Sequence, residues 1–505
     1  MNLGQARVRL VQAGAVVAAA ALVAGCGSQY RSVVTPINPN GPPAQPQSFA
    51  VVVSAPSVTS PGIATIVDYS GDTVVAQANL GPGPTAFTLD ESGSTGYTIN
   101  SDGTMTDFPA SNNLQTKNVN YLSLPSLARP VNLFSPSSGL WAADLCGTSS
   151  ISTACEPVAD VYIGSPLNFN KTIPVASAPV SIVGPGAVGQ RDFAISQNIA
   201  APTGVECNIS PSTVGVNGEV DTLETASYTV SGRIPVGVCP VYAVESNDSR
   251  RLFVLNRGSD TVTVINTQND TLDSCVCPAS GCTNQAGGTY TCHLTLPLST
   301  TAGLTGTKVP AVAGPVYAEY NAATNQLVVA DYDGNAVSII DVSLDEYGND
   351  SPTFGTTYTV PVGKNPASVT VLVDGSRAYT ANQADGVQNG TVSIVDMSSG
   401  VHVLEKTLAV VGHPRTVVST QNSSYGKVYV ASPDTPYLTI IRTDLDIVDT
   451  SVLVEGNIVD VRVTTQNGVS LNNNNVSRVP GFGQPCNLPG EENSKLTLTA
   501  CQTLP

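Results

Sequence analysis

A strand triplet that recurs behind proline, the lack of any sustained helical period after residue 48, and an unmatched strand at each end together predict an all-β fold. The arrangement they predict is a β-propeller of seven or eight four-stranded blades, with the N- and C-terminal strands sharing one blade.

The repeat carries most of this expectation. Each copy starts with Pro and an apolar strand, turns into a second strand ending at Asn or Asp, and turns again into a β-branched third strand. One copy runs Pro240-Val241-Tyr242-Ala243-Val244, Leu252-Phe253-Val254-Leu255-Asn256 and Thr261-Val262-Thr263-Val264-Ile265-Asn266. Others start at Pro315, Pro366 and Pro414, with third strands Ala336-Val337-Ser338-Ile339-Ile340-Asp341, Thr391-Val392-Ser393-Ile394-Val395-Asp396 and Tyr437-Leu438-Thr439-Ile440-Ile441. Fainter copies start at Pro84, Pro130 and Pro179. Alternating β-branched runs punctuated by Gly, Asn, Asp and Pro are what short, half-buried strands and tight turns require.

The ends complete the count. Phe49–Val53 and Ile63–Asp68 read as the second and third strands of a unit without a first. Asn457–Val463 reads as a first strand with nothing after it. A ring closed by pairing the two removes the open edge that would otherwise invite aggregation, and seven complete units plus the shared one favour eight blades. Starts lie about 45–50 residues apart, except after Pro179 and Pro240, where insertions carry Cys207 and Cys275–Cys292.

These lines resemble the YVTN-type (YncE-like) propeller repeat, and Asn256-Arg257-Gly258-Ser259-Asp260-Thr261 carries the resemblance best. It extends over residues 235–445 and thins before them. Such repeats occur both in binding proteins and in propeller lactonases, so the resemblance leaves function open.

The N-terminus supplies an address. Arg7 and Arg9 precede an apolar run from Leu10 to Ala24, and Leu22-Val23-Ala24-Gly25 leads into Cys26. That order is a secretory signal and resembles the bacterial lipobox. The run of about 15 residues is short for a span of roughly 20. Residues 1–25 are therefore the expected signal peptide. Cys26 is the expected lipidation site and gives the bilayer as a partner. Residue 27 is Gly rather than Asp, which favours the outer membrane, periplasm or cell surface over the inner membrane. Residues 26–48, rich in Pro (Pro36, Pro39, Pro42, Pro43, Pro46), form a semi-rigid tether. The propeller occupies 49–463, and 464–505 form a C-terminal tail.

Of the 11 cysteines, those other than Cys26 are even in number and would sit in an oxidising compartment, which predicts disulfides. Local pairs are expected for Cys146 with Cys155, Cys207 with Cys239, and Cys486 with Cys501. Cys275, Cys277, Cys282 and Cys292 supply two further bonds in either of two pairings. The alternative for these four, a zinc site with His293, has a spacing that matches no zinc motif.

Chemistry is sparse. The 3 histidines, His293, His402 and His413, are scattered over different units. No haem-attachment, nucleophile-elbow, H-E-x-x-H, phosphate-loop or EF-hand motif is present, so no cofactor is expected, although carboxylates at the channel mouth could take a cation. The formal charge of -17, about -19 once Arg7 and Arg9 are removed, with no basic stripe, argues against nucleic acid.

In a propeller, the loops between second and third strands and the loops entering each blade build the ligand face. Those loops carry Asn256, Asp331 and Asn382, whose residue types also suit turns, and Lys364, His413 and Arg415, which turns do not need. The repeated Tyr242, Tyr317, Tyr379 and Tyr429, with Trp141, read as inter-blade packing. Two functions follow. One is a binding or scaffold module for an envelope protein, peptide or glycan. The other is a lactonase-like hydrolase using His413, Arg415 and Asp331, with Arg or His stabilising an oxyanion.

Overall fold

The structure is a computed structural model. It describes residues 48–464 apart from 136–138, 148–154, 185–190, 200–215, 274–281, 284–288, 291–294, 300–311, 347, 385–388, 399–401 and 421–425. The described chain is all-β, and its one helical element is the 3-10 turn Thr116–Asn118.

Eight antiparallel blades follow one another in a ring. In six of them the innermost strand opens on the expected proline: Pro84–Leu89, Pro130–Phe134, Pro179–Val183, Pro240–Glu245, Pro315–Asn321 and Pro366–Val371. The eighth blade opens at Thr416, two residues past Pro414. In the first blade the innermost strand is Asn457–Val463, paired antiparallel with Phe49–Ala55, while Pro61–Asp68 and Val74–Pro82 lie outside it. The closure is sealed where Thr464 Oγ1 accepts the Phe49 amide at 2.8 Å. Successive innermost strands pack on one another round the ring, the last against the first. Eight is therefore the count, as the shared-blade reading favoured.

A bulge after the first residue of the innermost strand recurs in blade after blade, from Pro84/Ala86 to Pro366/Ser368. Proline suits that position because it opens the strand and has no N–H to donate to the ladder.

The innermost strands of the fourth to eighth blades are buried along their whole length. Polar side chains on the innermost strands round the ring, and on the linker entering the eighth blade, bond to the next blade. Asn132 Oδ1 accepts the Ile182 amide at 3.1 Å, and Glu319 Oε1 accepts the Val371 amide at 3.2 Å. Ser368 Oγ donates to Arg415 O at 2.8 Å and accepts the Val417 amide at 3.1 Å. Arg415 Nη2 donates to Val459 O, and Arg462 Nη2 donates to Phe87 O at 3.2 Å.

A second set of inter-blade bonds lies on the rim formed by the turns between first and second strands and between third and fourth strands, where the first residue of a second strand is basic. Arg191 pairs with Asp270 and Arg377 with Asp446, in each case on the following blade. Arg251 reaches Asp350 at 3.3 Å, and Lys427 pairs with Asp72 across the junction of the eighth and first blades. Asp72, Asp270 and Asp446 all hold the left-handed turn position, with φ near +52° to +53°, which Asp tolerates better than most residues.

The apolar cores lie within and between blades. Tyr242 and Tyr317 stack at 4.7 Å between the fifth and sixth blades, and Trp141 and Tyr228 lie 5.9 Å apart between the third and fourth. The outermost strand of the fifth blade is interrupted. Thr271–Leu272 pairs with one end of Thr261–Asn266 and Thr295–Pro297 with the other, so the cysteine-rich insertion leaves from the middle of that strand.

Candidate functional site

The turns between second and third strands and the linkers entering the next blade share one rim. On the fifth to eighth blades that rim collects a run of polar side chains. Arg257, one residue past the second strand of the fifth blade, forks onto Asp333 of the sixth, with Nε 2.8 Å from Oδ2 and Nη2 2.7 Å from Oδ1. Its guanidinium also lies 5.3 Å from the centre of the Tyr332 ring. Tyr332 Oη donates to Gln383 Oε1 of the seventh blade at 3.0 Å. Bidentate pairing and stacking make full use of a planar guanidinium.

In the eighth blade His413 and Asp434 form a second pair. Asp434 Oδ1 accepts the His413 amide at 2.8 Å, and Oδ2 lies 2.6 Å from His413 Nδ1. A carboxylate only accepts, so Nδ1 carries the proton in the neutral ring and Nε2 is the basic nitrogen. The imidazole is 14% exposed and the carboxylate 27%, which leaves both within reach of solvent.

Two linker glycines make these pairs possible. Gly314 has φ +59° and Gly412 φ +76°. A Cβ at Gly314 would stand 1.9 Å from Asp333 Oδ2, and one at Gly412 2.5 Å from Asp434 Oδ1. The backbone there must turn left-handed and admit an acid at once, and only glycine does both.

The six ligand-face residues named from the sequence fall at different depths. His413 is partly exposed and Lys364 is exposed on the same rim. Arg415 is 6% exposed, and its guanidinium bonds Val459 O inside the ring. Asn256 and Asn382 are fully buried and brace their own turns. Asn256 Nδ2 donates to Thr263 Oγ1 at 2.8 Å, and Asn382 Nδ2 to Ser393 Oγ at 3.0 Å. Asp331 holds the same repeat position, is 1% exposed and accepts from Ser338 Oγ at 2.6 Å. Of the proposed hydrolase trio, then, only His413 faces solvent to any extent. Tyr332 and Gln383 were not singled out from the sequence. The signal that finds them is positional, since both follow the last residue of a second strand, as Arg257 does.

Burial raises Asp331 to about 8, with Asp260 and Asp333 adding to the shift and Ser338 opposing it. A group protonated when folded and ionised when unfolded stabilises fully below its ordinary value near 3.8, and that contribution is lost as pH climbs to about 8. Asp160, raised to about 7 chiefly by burial, contributes in the same sense over a lower range. We expect these acids to make the melting temperature fall as pH rises from about 4 to about 8, and Asp331→Asn to flatten that fall. Melts recorded from acid to mildly alkaline pH test this, and an unchanged slope between about 4 and about 8 in the variant would show that Asp331 does not hold its proton there.

Among the described cysteines, Cys146 and Cys155 are bonded to each other across the hairpin that joins the second and third strands of the third blade. Cys239 is also in a disulfide, and its partner lies outside the described residues. Cys26, Cys207, Cys275, Cys277, Cys292, Cys486, Cys501 and His293 lie outside the described residues, and for Cys282 only the backbone pairing with Tyr290 is described. Among the described residues no group of three or more His, Cys, Asp or Glu side chains is placed to hold a metal ion.

A closed ring of eight blades with a rim of paired polar side chains defines the class of this protein, a β-propeller. It is similar to the crystal structure of Citrobacter koseri AztD, with TM-score 0.51 and 11% identity over 82% of this chain and 97% of that one. It is also similar to the dihydro-heme d1 dehydrogenase NirN in complex with DHE, with TM-score 0.53 and 13% identity over 84% of this chain and 77% of that one. At such identities the likeness establishes the fold. No protein-family model matches the chain, and no curated protein matches it.

Proposed function

We propose that this chain is a lipid-anchored, extracytoplasmic propeller of the YVTN type that serves as a binding or scaffold module for a protein, peptide or glycan of the cell envelope. The observation that carries this reading is the partly exposed His413–Asp434 pair on the same rim as the exposed Lys364, while the buried Arg257–Asp333 and Tyr332–Gln383 contacts brace that rim from beneath. Groups already held by their neighbours lose little freedom when a ligand docks, so such a surface suits recognition. The described body begins at Ser48 and ends at Thr464, both on the rim opposite the paired one. Cys26 and the segment after it supply the tether in this reading, and an outer-membrane, periplasmic or surface location follows from the residue after Cys26.

A second reading, a lactonase-like hydrolase, is favoured by one observation. An imidazole whose Nδ1 is held by a carboxylate presents Nε2 as a general base. It lacks Asp331 and Arg415 as partners at the surface, since both are buried.

One experiment separates the two. Full-length protein is used as bait in an envelope extract beside the Lys364→Glu and His413→Ala variants, and all three are assayed on a panel of lactones. We expect the same envelope component on the wild type in repeated captures, at least severalfold reduced by Lys364→Glu, with no lactone turnover. Turnover that His413→Ala abolishes would replace the binding reading with the hydrolase. Captures that do not differ between wild type and Lys364→Glu would remove this rim as the binding surface.

A further inference from the structure

At the corner of the eighth blade on the paired rim, two turns converge on the linker Gly412–His413. Asp434, in the turn after Lys427–Ala431, takes the His413 amide on Oδ1 at 2.8 Å and faces the ring Nδ1 with Oδ2 at 2.6 Å. Asn389, exposed in the turn before Thr391–Asp396 of the seventh blade, accepts the Gly412 amide on Oδ1 at 3.3 Å. The linker is packed tightly between them, since a Cβ at Gly412 would also stand 2.9 Å from Ser432 Cβ and from Thr435 Cγ2.

Tyr437 opens the third strand of this blade, three residues past Asp434, and is 42% exposed. Its cross-strand partner Leu453 and the linker residue Val411 are exposed as well. Tyr437 differs from the other exposed aromatics among the described residues, Tyr121, Phe169 and Tyr358. Tyr121 Oη donates to Asn79 O, the Phe169 ring meets Tyr162 edge-on, and Tyr358 lies against His402. The Tyr437 ring and hydroxyl have no hydrogen-bond or ring partner among the described residues.

The corner has a defined hydrogen-bonding capacity. His413 holds the Asp434 carboxylate in place, and the two bonds it takes leave about two of that carboxylate's roughly four lone-pair sites to accept from a ligand. Asn389 has its Oδ1 committed, which leaves Nδ2 to donate. An acceptor, a donor and an aromatic face in one corner suit a molecule whose hydroxyls donate and accept around an apolar ring face. Charge narrows the choice. Glu455, exposed two residues past Leu453, and the formal charge of -17 repel an anionic ligand.

We propose that this corner binds a neutral hexose ring, with Tyr437 against the ring face and Asp434 and Asn389 on its hydroxyls. This rests on the binding reading above and selects the glycan from its alternatives. His413 acts here as a positioning residue.

The test is saturation-transfer NMR on the full chain in a detergent without a sugar head group. The probes are neutral mono- and oligosaccharides of glucose, galactose, mannose and N-acetylglucosamine, with envelope polysaccharide as competitor to separate a free sugar from a polymer source. We expect transfer to at least one neutral sugar, weakened roughly tenfold by Tyr437→Ala, kept by Tyr437→Phe and unchanged by Tyr358→Ala. Melts confirm that each variant is folded. Lack of transfer to every neutral sugar, transfer to acidic sugars alone, or equal transfer in Tyr437→Ala overturns the proposal. If no sugar binds while envelope capture remains sensitive to Lys364→Glu, the glycan assignment falls and the binding reading stands. If that sensitivity is absent too, both fall.

Discussion

Ending the chain after Gly456 is expected to abolish the cooperative unfolding transition. The residues removed supply the innermost strand of the first blade, Asn457–Val463, which is hydrogen-bonded along Ala50–Ala55 and packed against the blades on either side. Ile458, Val461 and Val463 are buried, and each such side chain contributes about 1.5–3 kcal/mol. Together they rival the total stability of a typical domain, about 5–15 kcal/mol. The strand also carries a buried ion pair, Arg462 Nη2 to Asp460 Oδ2 at 3.1 Å, with the two side chains 0% and 4% exposed. A point substitution therefore reproduces part of the effect. Asp460→Ala strands the guanidinium in the interior, which costs about 3–5 kcal/mol, and is expected to lower the melting temperature markedly. Circular dichroism melts and gel filtration read both outcomes. A truncated chain that still melts sharply near the wild-type temperature as a monomer would show that closure does not hold the ring together.

Cys26→Ser is expected to move the protein almost entirely from the membrane fraction to the soluble fraction. Each methylene of an acyl chain contributes about 0.8 kcal/mol of anchoring, and a single chain of moderate length holds only reversibly. A diacylated or triacylated terminus is effectively permanent, and its loss leaves an acidic body with a formal charge of -17 for the whole chain and little attraction for an anionic surface. Fractionation with labelled palmitate reads both attachment and its chemistry. A variant that stays with the membrane, or a wild type that takes up no label, would remove the lipoprotein reading while leaving the fold untouched.

The repeat was legible because it is written in nearest-neighbour terms. Pro at the head of an innermost strand, Asn or Asp at the end of the second, and a β-branched third strand are local demands of ladder and turn, so they recur at every blade and can be counted. The outermost strands were less legible. Val74–Pro82 and Ile447–Leu453 are largely exposed and carry no strong alternation, because one side of each has no neighbour to select its residues. The split outermost strand of the fifth blade was also unreadable, since an insertion separates its halves.

The candidate site was legible in part. His413 stood out as a residue that turns do not require, but its partner Asp434 belonged to a set that turn chemistry explains equally well. Asp331, Asn256 and Asn382 share one repeat position and were grouped with Lys364. Only their burial separates the turn braces from the exposed cation. The basic residues that start second strands, Arg191, Arg251, Arg377 and Lys427, form a pattern that the sequence contains and that was not read from it. Their meaning lies in acids on another blade.

By itself the sequence determined that this chain is a ring of repeated β units with a shared closing blade, because strand, turn and repeat length are local properties. Only the tertiary structure decided which polar groups meet. Arg257 finds Asp333, Lys427 finds Asp72, and His413 finds Asp434. The physical reason is that a propeller brings each blade against the next at a depth and rotation that no stretch of sequence records, and those two quantities set whether a charge is paired, solvated or stranded.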